Sequence, residues 1–237
     1  MEIERDALEK KLQEIRGQTE GWVAQAINKP ISFFLTRRLI KTSITPNQIT
    51  AVNLLLTGVA AFFLSRLEYG ERVLGGVLMY LSSIIDGCDG EVARLKGLSS
   101  KFGAWFDTIA DDLSNNLFFT ALFIGLHRST GETLYWNVGW WTILASVGVS
   151  LVIYHQLLTG RESANAKDFN PAWRKDFRKR DWFEIIRPVM KRDFFIAVIF
   201  VFVVINLRPV VFWLGVGATW AVFGLYVASF LLQISKK

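Results

Sequence analysis

The sequence predicts an all-α integral membrane protein, a bundle of six transmembrane helices preceded by an N-terminal interfacial helix on the cytoplasmic side. Three observations predict it. First, residues 42–65, 133–160 and 209–235 carry no Asp, Glu, Lys or Arg, and each exceeds the roughly 20 residues with which a helix crosses about 30 Å of hydrocarbon. Second, the apolar blocks 73–85 and 194–207 extend into their flanks, and 102–127 is long enough although it holds three Asp. Third, the basic residues are segregated. With spans near 47–66, 73–93, 102–126, 137–159, 189–207 and 210–233, 23 of the 27 Lys and Arg fall on one side. Only Arg66, Arg72, Arg128 and Arg208 fall on the other.

The positive-inside rule then places both termini and the loops 94–101 and 160–192 in the cytoplasm. The net charge of +6 is accounted for by topology, and no nucleic-acid motif or partner is expected. A single cysteine, Cys88, excludes an intrachain disulfide. No cleavable signal peptide is expected, because the first apolar block starts near residue 47 and the chain begins charged.

Residues 1–45 read as a juxtamembrane arm and 46–237 as the membrane domain. Within the arm, 2–16 predicts a charged helix with Ile3, Leu8, Leu12 and Ile15 on one stripe. In 29–41, Ile31, Phe34, Leu35, Leu39 and Ile40 alternate with Arg37, Arg38 and Lys41. That pattern suits a helix lying in the headgroup plane. Thr45 is placed to cap the first span, with Pro46 at its first helical position. The 160–192 loop mixes Trp173, Phe177, Trp182 and Phe183 with Arg174, Lys175, Arg178, Lys179 and Arg180. An interfacial anchor is the favoured reading of that loop over a phosphate-binding surface.

The second and third spans carry the chemistry. Asp86 and Asp89 are i and i+3, Asp107 and Asp111 are i and i+4, so each pair shares a helix face. A loop of about eight residues between the spans makes the helices antiparallel neighbours, and the two pairs can meet at similar depth. Each buried charge costs about 2.5–3.5 kcal/mol of insertion free energy, and four cost on the order of 10 kcal/mol. They also repel one another, and bound cations relieve both penalties. Carboxylate oxygens without Cys or His partners suit Mg²⁺ or Mn²⁺ rather than zinc. Four of them can hold two ions, an arrangement suited to in-line phosphoryl displacement. Gly87, Gly90, Ala93, Gly103 and Ala104 either open room for a flat ligand against the backbone or allow close helix packing. At Gly90 and Ala93 both readings hold.

The string D-x2-D-G-x2-A-R-x8-G-x3-D-x3-D, from Asp86 to Asp111, resembles the signature of the CDP-alcohol phosphotransferase (CDP-alcohol phosphatidyltransferase) family. Asp86, Asp89, Gly90, Ala93, Arg94, Gly103, Asp107 and Asp111 match every position. The resemblance implies a six-helix membrane homodimer that joins a CDP-alcohol and an acceptor alcohol into a phosphodiester and releases CMP. It implies that Asp86, Asp89 and Asp107 hold metal. Asp111 would contact a second ion or act as base toward the acceptor hydroxyl. By the same resemblance Gly90, Ala93 and Gly103 border the cytidine, Arg94 reaches the diphosphate, and Asn53, with residues 45–47, faces the nucleotide. Asp112 is a departure, since many members have Arg there, and it bears on how Asp111 is held.

Residues 34–47 and 191–195 look similar to members that make di-myo-inositol phosphate phosphate, with CDP-inositol as donor and inositol phosphate as acceptor. The cytidylyltransferase domain often fused to those members is not expected in these 237 residues. CDP-diacylglycerol is an equally compatible donor. An acceptor phosphate would meet Arg161, Arg187, Lys191 and Arg192 at the cytoplasmic mouth. His155 is placed to lie beside the acceptor, although a satisfied interhelical histidine is the preferred reading, and His127 is expected on the far side. Two rival classes stay open: an ion-binding transporter, and an inactive scaffold that keeps the motif.

Overall fold

The structure, a computed structural model, describes residues 2–17, 21–158 and 192–234, with side chains over 8–17, 21–155 and 194–228. Every regular element among them is helical. In chain order they are α1 (Glu2–Gly17), a π-turn (Ala24–Asn28) running into α2 (Lys29–Leu39), α3 (Pro46–Leu64), α4 (Tyr69–Lys96), α5 (Lys101–Thr130), α6 (Thr133–Leu158), α7 (Arg192–Val204) and α8 (Arg208–Ile234). Helices α3 to α8 fall where the apolar blocks predict them. Four are long and apolar enough to cross a bilayer: α3, α4, Thr133–His155 of α6 and Arg208–Ala228 of α8. The apolar part of α7, Phe194–Val204, is shorter. Helix α5 has the length, but Asp107, Asp111, Asp112, Asn115 and Asn116 interrupt its apolar character.

The start of α3 is set locally. Thr45 Oγ1 accepts the backbone N–H of Gln48, and Gln48 Oε1 accepts that of Thr45. This reciprocal capping box satisfies two donors that the first turn leaves open, with Pro46 at the position that needs none.

The chain divides into two compact units, with the boundary falling inside α3, α4, α5 and α7. The first holds Met1–Leu56, Met79–Ala110 and the start of α7. Here Leu12, Ile15 and Phe33 are buried against Leu8 and Leu95, which seats the apolar stripe of α1 on α2 and on the end of α4. A second cluster, Ile49, Cys88 and Val92, takes in Leu35 and Leu39 of α2 and Ile40 just after it. Ile31 and Phe34 stay exposed, the arrangement expected of a helix with one face left to headgroups.

The second unit holds Thr57–Leu78, Asp111 onward through α6, and Val201 onward. Its core is aromatic: Phe212 stacks on Phe119 at 5.4 Å and meets Tyr135 edge-on at 5.2 Å. Helices α6 and α8 are joined by Trp220 Nε1, which donates to Thr142 Oγ1 at 3.2 Å. Helix α4 crosses α3 at Gly75, where an added Cβ would lie 2.5 Å from Leu64 N and 2.9 Å from Ala60 O. Both neighbours are backbone and cannot rotate away. Gly75→Ala is expected to destabilise by roughly 1–3 kcal/mol. Gly217→Ala, where nothing lies within 4 Å, is expected not to. Thermal melts in detergent check the pair, and equal melting temperatures would remove the close crossing.

Candidate metal centre

In the first unit the last third of α4 and the first two turns of α5 bring carboxylates together. One oxygen each of Asp86, Asp89 and Asp107 lies within 4.8 Å of the others. Asp89 is buried and the other two are half-buried. The short loop between the spans predicts that the two aspartate pairs can meet, and the structure brings together Asp86, Asp89 and Asp107.

Helix α3 orients the cluster. Thr50 Oγ1 donates to Asp89 Oδ2 at 2.5 Å. Asn53 Nδ2 donates to Asp86 Oδ1 at 3.5 Å, while Asn53 Oδ1 accepts from Ser82 Oγ at 2.8 Å. The N–H of Gly90 donates to Asp89 Oδ1 at 2.5 Å. Asn53, assigned to the nucleotide on resemblance, is thus buried between a serine and a cluster carboxylate. Thr50 and Ser82 were not singled out from the sequence. A signal existed: Thr50 and Asn53, three residues apart, share one face of a largely apolar helix. Outer-shell partners of metal ligands typically change affinity by 10–100-fold. Thr50→Val is therefore expected to weaken Mn²⁺ binding by about 10-fold while leaving the fold intact. Titration calorimetry checks it, and unchanged affinity would reduce Thr50 to a packing residue.

The donor set fits a hard divalent cation. Three carboxylates converge with no His or Cys in the group. The nearby Cys88 is fully buried with its thiol against the carbonyls of Ser32 and Ile84. The hydrogen bonds just described come from neutral groups, so they orient the carboxylates without cancelling their charge, as a hard cation does.

Glu91, inside the motif, is a further polar centre. It is 2% exposed. Its Oε1 accepts Lys29 Nζ at 2.7 Å and Ser32 Oγ at 2.8 Å, and its Oε2 accepts Thr36 Oγ1 at 2.7 Å. Lys29, Ser32 and Thr36 lie at i, i+3 and i+7, one face of α2. The sequence reading placed the polar side of this helix at Arg37, Arg38 and Lys41 and passed over that face. So α2 is docked on the helix that carries Asp86 and Asp89. Arg37 instead forks onto Glu9 with two bonds of 2.7 Å. That bond holds its guanidinium charged beyond its usual range. Lys96 Nζ ties the end of α4 to the carbonyls of Thr42 and Ile44 at 2.7 Å each.

Gly90 is exposed, and a Cβ there would meet nothing within 4 Å, so close packing does not explain this glycine. Gly103 differs, with Ser100 Oγ at 3.1 Å and Asn47 Oδ1 at 3.2 Å from an added Cβ. Ala93 is half-buried and Arg94 exposed near the end of α4. Asp111 follows Asp107 by one turn of α5 and belongs to the second unit. In that unit Tyr154 donates its hydroxyl to Asp112 Oδ2 at 2.5 Å, and His155 is exposed. Arg161, Arg187 and Lys191 lie outside the described residues. Arg192 opens α7, with its side chain outside them.

Helices long and apolar enough to cross a bilayer and a convergent carboxylate cluster able to hold a hard cation define the class of protein. The chain belongs to the CDP-alcohol phosphatidyltransferase family, whose pattern residues 43–226 match. It is similar to the bifunctional IPC transferase and DIPP synthase of Thermococcus kodakarensis, 34% identical over 70% of this chain and 36% of that protein. A protein of the same name from Aquifex aeolicus is 33% identical over 59% of this chain and 30% of its own length. The archaetidylinositol phosphate synthase of Pyrococcus horikoshii is 31% identical over 48% of this chain and 56% of its own. The chain thus spans about a third of the length of the bifunctional relatives.

Proposed function

We propose that this chain transfers a phosphoalcohol or phosphatidyl group from a CDP-alcohol to an acceptor hydroxyl and releases CMP. The observation that carries the reading is the meeting of Asp86, Asp89 and Asp107 within 4.8 Å on the two helices that bear the family's motif. Asp86, Asp89, Asp107 and Asp111 would hold two divalent ions, Mg²⁺ or Mn²⁺, which when bound neutralise diphosphate charge and favour departure of the leaving oxygen.

The chain's own groups do the rest. Gly90 leaves the backbone of α4 open to a flat base, with Ala93 and Gly103 beside it in the motif. Arg94 supplies a guanidinium to the diphosphate. The Asp111 carboxylate takes the proton of the acceptor hydroxyl as its oxygen bonds to the phosphorus that bears the donor alcohol. The bond from that phosphorus to the CMP oxygen breaks, and CMP leaves with its electron pair. His155, Arg161, Arg187, Lys191 and Arg192 are proposed for the acceptor.

In the same reading, α5 and α7 complete six spans behind a 1–45 arm, the protein is a homodimer, and both termini and the site face the cytoplasm. The inositol-phosphate names among the relatives favour an inositol or inositol phosphate acceptor, with CDP-inositol or CDP-diacylglycerol as donor. The test incubates purified protein with each donor against a panel of alcohols. CMP release should require an acceptor and a divalent ion and should stop with chelator. Cation flux in vesicles without CMP release would favour a transporter, and neither activity would favour a scaffold. Cysteine at Lys101, in a Cys88→Ser background, should react with an impermeant thiol reagent only from the cytoplasmic side. Labelling from outside would invert the topology.

A further inference from the structure

Four basic residues stand apart from the other 23 in the sequence, and two of them, Arg72 and Arg208, are among the most buried polar side chains of the second unit. They are 7% and 6% exposed. Arg72 lies in the first turn of α4, and Arg208 opens α8. Arg72 Nη1 donates to the carbonyl of Leu67, and its Nη2 donates to Asn206 Oδ1 at 3.2 Å. Arg208 Nη2 donates to Ser129 Oγ at 3.3 Å.

Every one of those acceptors is neutral. Among the described residues neither arginine has a carboxylate partner, whereas their neighbour Arg66 pairs with Glu71 at 3.4 Å. Arg72 Nε, Arg208 Nε and Arg208 Nη1 are buried without an acceptor. Arg208 follows Asn206, the acceptor of Arg72, by two residues, so two like charges are buried in one neighbourhood. Gly125 makes room for Arg208: a Cβ there would lie 3.2 Å from Arg208 Nη1. Asn206, the acceptor for Arg72, sits in the left-handed region at φ 61°. Asparagine tolerates that conformation, and here it turns α7 into α8.

Two buried like charges with unused donors are unfavourable unless an anion completes them. A guanidinium fork matches the oxygens of a phosphate in geometry and charge. We propose that Arg72 and Arg208 form a binding site for a phosphate oxyanion, carried by a lipid headgroup or free. Both residues lie at helix ends, near the turns 65–68 and 205–207, the level at which headgroups meet a spanning helix. The site is independent of the catalytic reading, because it is read without CDP-alcohol.

The test melts the full chain, delipidated in neutral detergent, with phosphatidylglycerol, phosphatidylcholine or inorganic phosphate. Near-saturating phosphatidylglycerol should raise Tm by roughly 5 °C, and phosphatidylcholine of the same chain length should not. Arg72→Gln and Arg208→Gln should lose the shift, and Arg128→Gln, at an exposed residue, should keep it. An equal rise with inorganic phosphate identifies a free anion as the ligand, and a rise with phosphatidylglycerol alone identifies a headgroup. No shift with either, or the same shift in both Gln variants, overturns the site. Should those variants not fold, native mass spectrometry of the unaltered chain decides. One phosphatidylglycerol or phosphate should survive activation that strips phosphatidylcholine, and no retained anion overturns the proposal.

Discussion

Asp107→Asn is expected to lower CMP release by about 10³-fold, the equivalent of roughly 4 kcal/mol at 1.36 kcal/mol per tenfold. Asp107 reaches from α5 to the pair on α4, so its loss removes the oxygen that closes the cluster across the two helices. Mn²⁺ binding should fall with turnover, because a neutral amide oxygen is a poorer ligand for a hard cation than a carboxylate. Asp111→Asn should behave differently. If Asp111 takes the acceptor's proton, its amide should still bind donor and at least one ion while turnover is lost. Equilibrium binding of Mn²⁺ and of the donor, beside single-turnover kinetics, separates the two variants. Undiminished Mn²⁺ affinity in Asp107→Asn would falsify the metal role. Full turnover in Asp111→Asn would remove it as base.

Glu91→Ala is expected to cost about 3–5 kcal/mol, the range for breaking a buried charged pair by removing one partner. The substitution strands Lys29, 15% exposed at its side chain, and takes the acceptor from Ser32 and Thr36 at the same time. In melting temperature this is a fall on the order of 10 °C. Glu91→Gln keeps an acceptor and should cost less. Replacing both charges, with Lys29→Met and Glu91→Leu, should recover much of the loss. The measurement is a thermal melt in detergent followed by a double-mutant cycle. A melting temperature unmoved by Glu91→Ala would mean that α2 is held by its apolar contacts with α4 alone.

Much of the fold was legible because a bilayer is a severe solvent. Uncharged runs of more than 20 residues have few alternatives to a helix there, and helices α3, α6 and α8 follow from those runs, while α4 follows from the shorter apolar block 73–85 extended into its flanks. The carboxylates were legible for the same reason: Asp86, Asp89 and Asp107 are costly in such a setting, and helical spacing puts Asp86 and Asp89 on one face. The capping box at Thr45 and Gln48 is local in sequence and so was half visible, with Thr45 and Pro46 identified and Gln48 not.

What the sequence determined by itself, then, was composition along each helix: which segments are helical, which are apolar, and which residues share a face. The tertiary structure alone decided which faces meet. Lys29 and Glu91 are 62 residues apart, and nothing local to either distinguishes a docking seam from a headgroup-facing helix. An Asn53 amide can serve a nucleotide or a neighbouring side chain, and it is the rotation of α3 that sets it beside Asp86 and Ser82. Gly75, Gly90 and Gly103 are one residue type in three surroundings, against backbone, against open space and against two side-chain oxygens. Arg72 and Arg208, 136 positions apart, count in the sequence as two scattered charges. The physical reason is common to all of them. A side chain's chemistry limits the bonds it can make, but its partner is set by the approach and rotation of another helix, and those depend on packing summed over the whole chain.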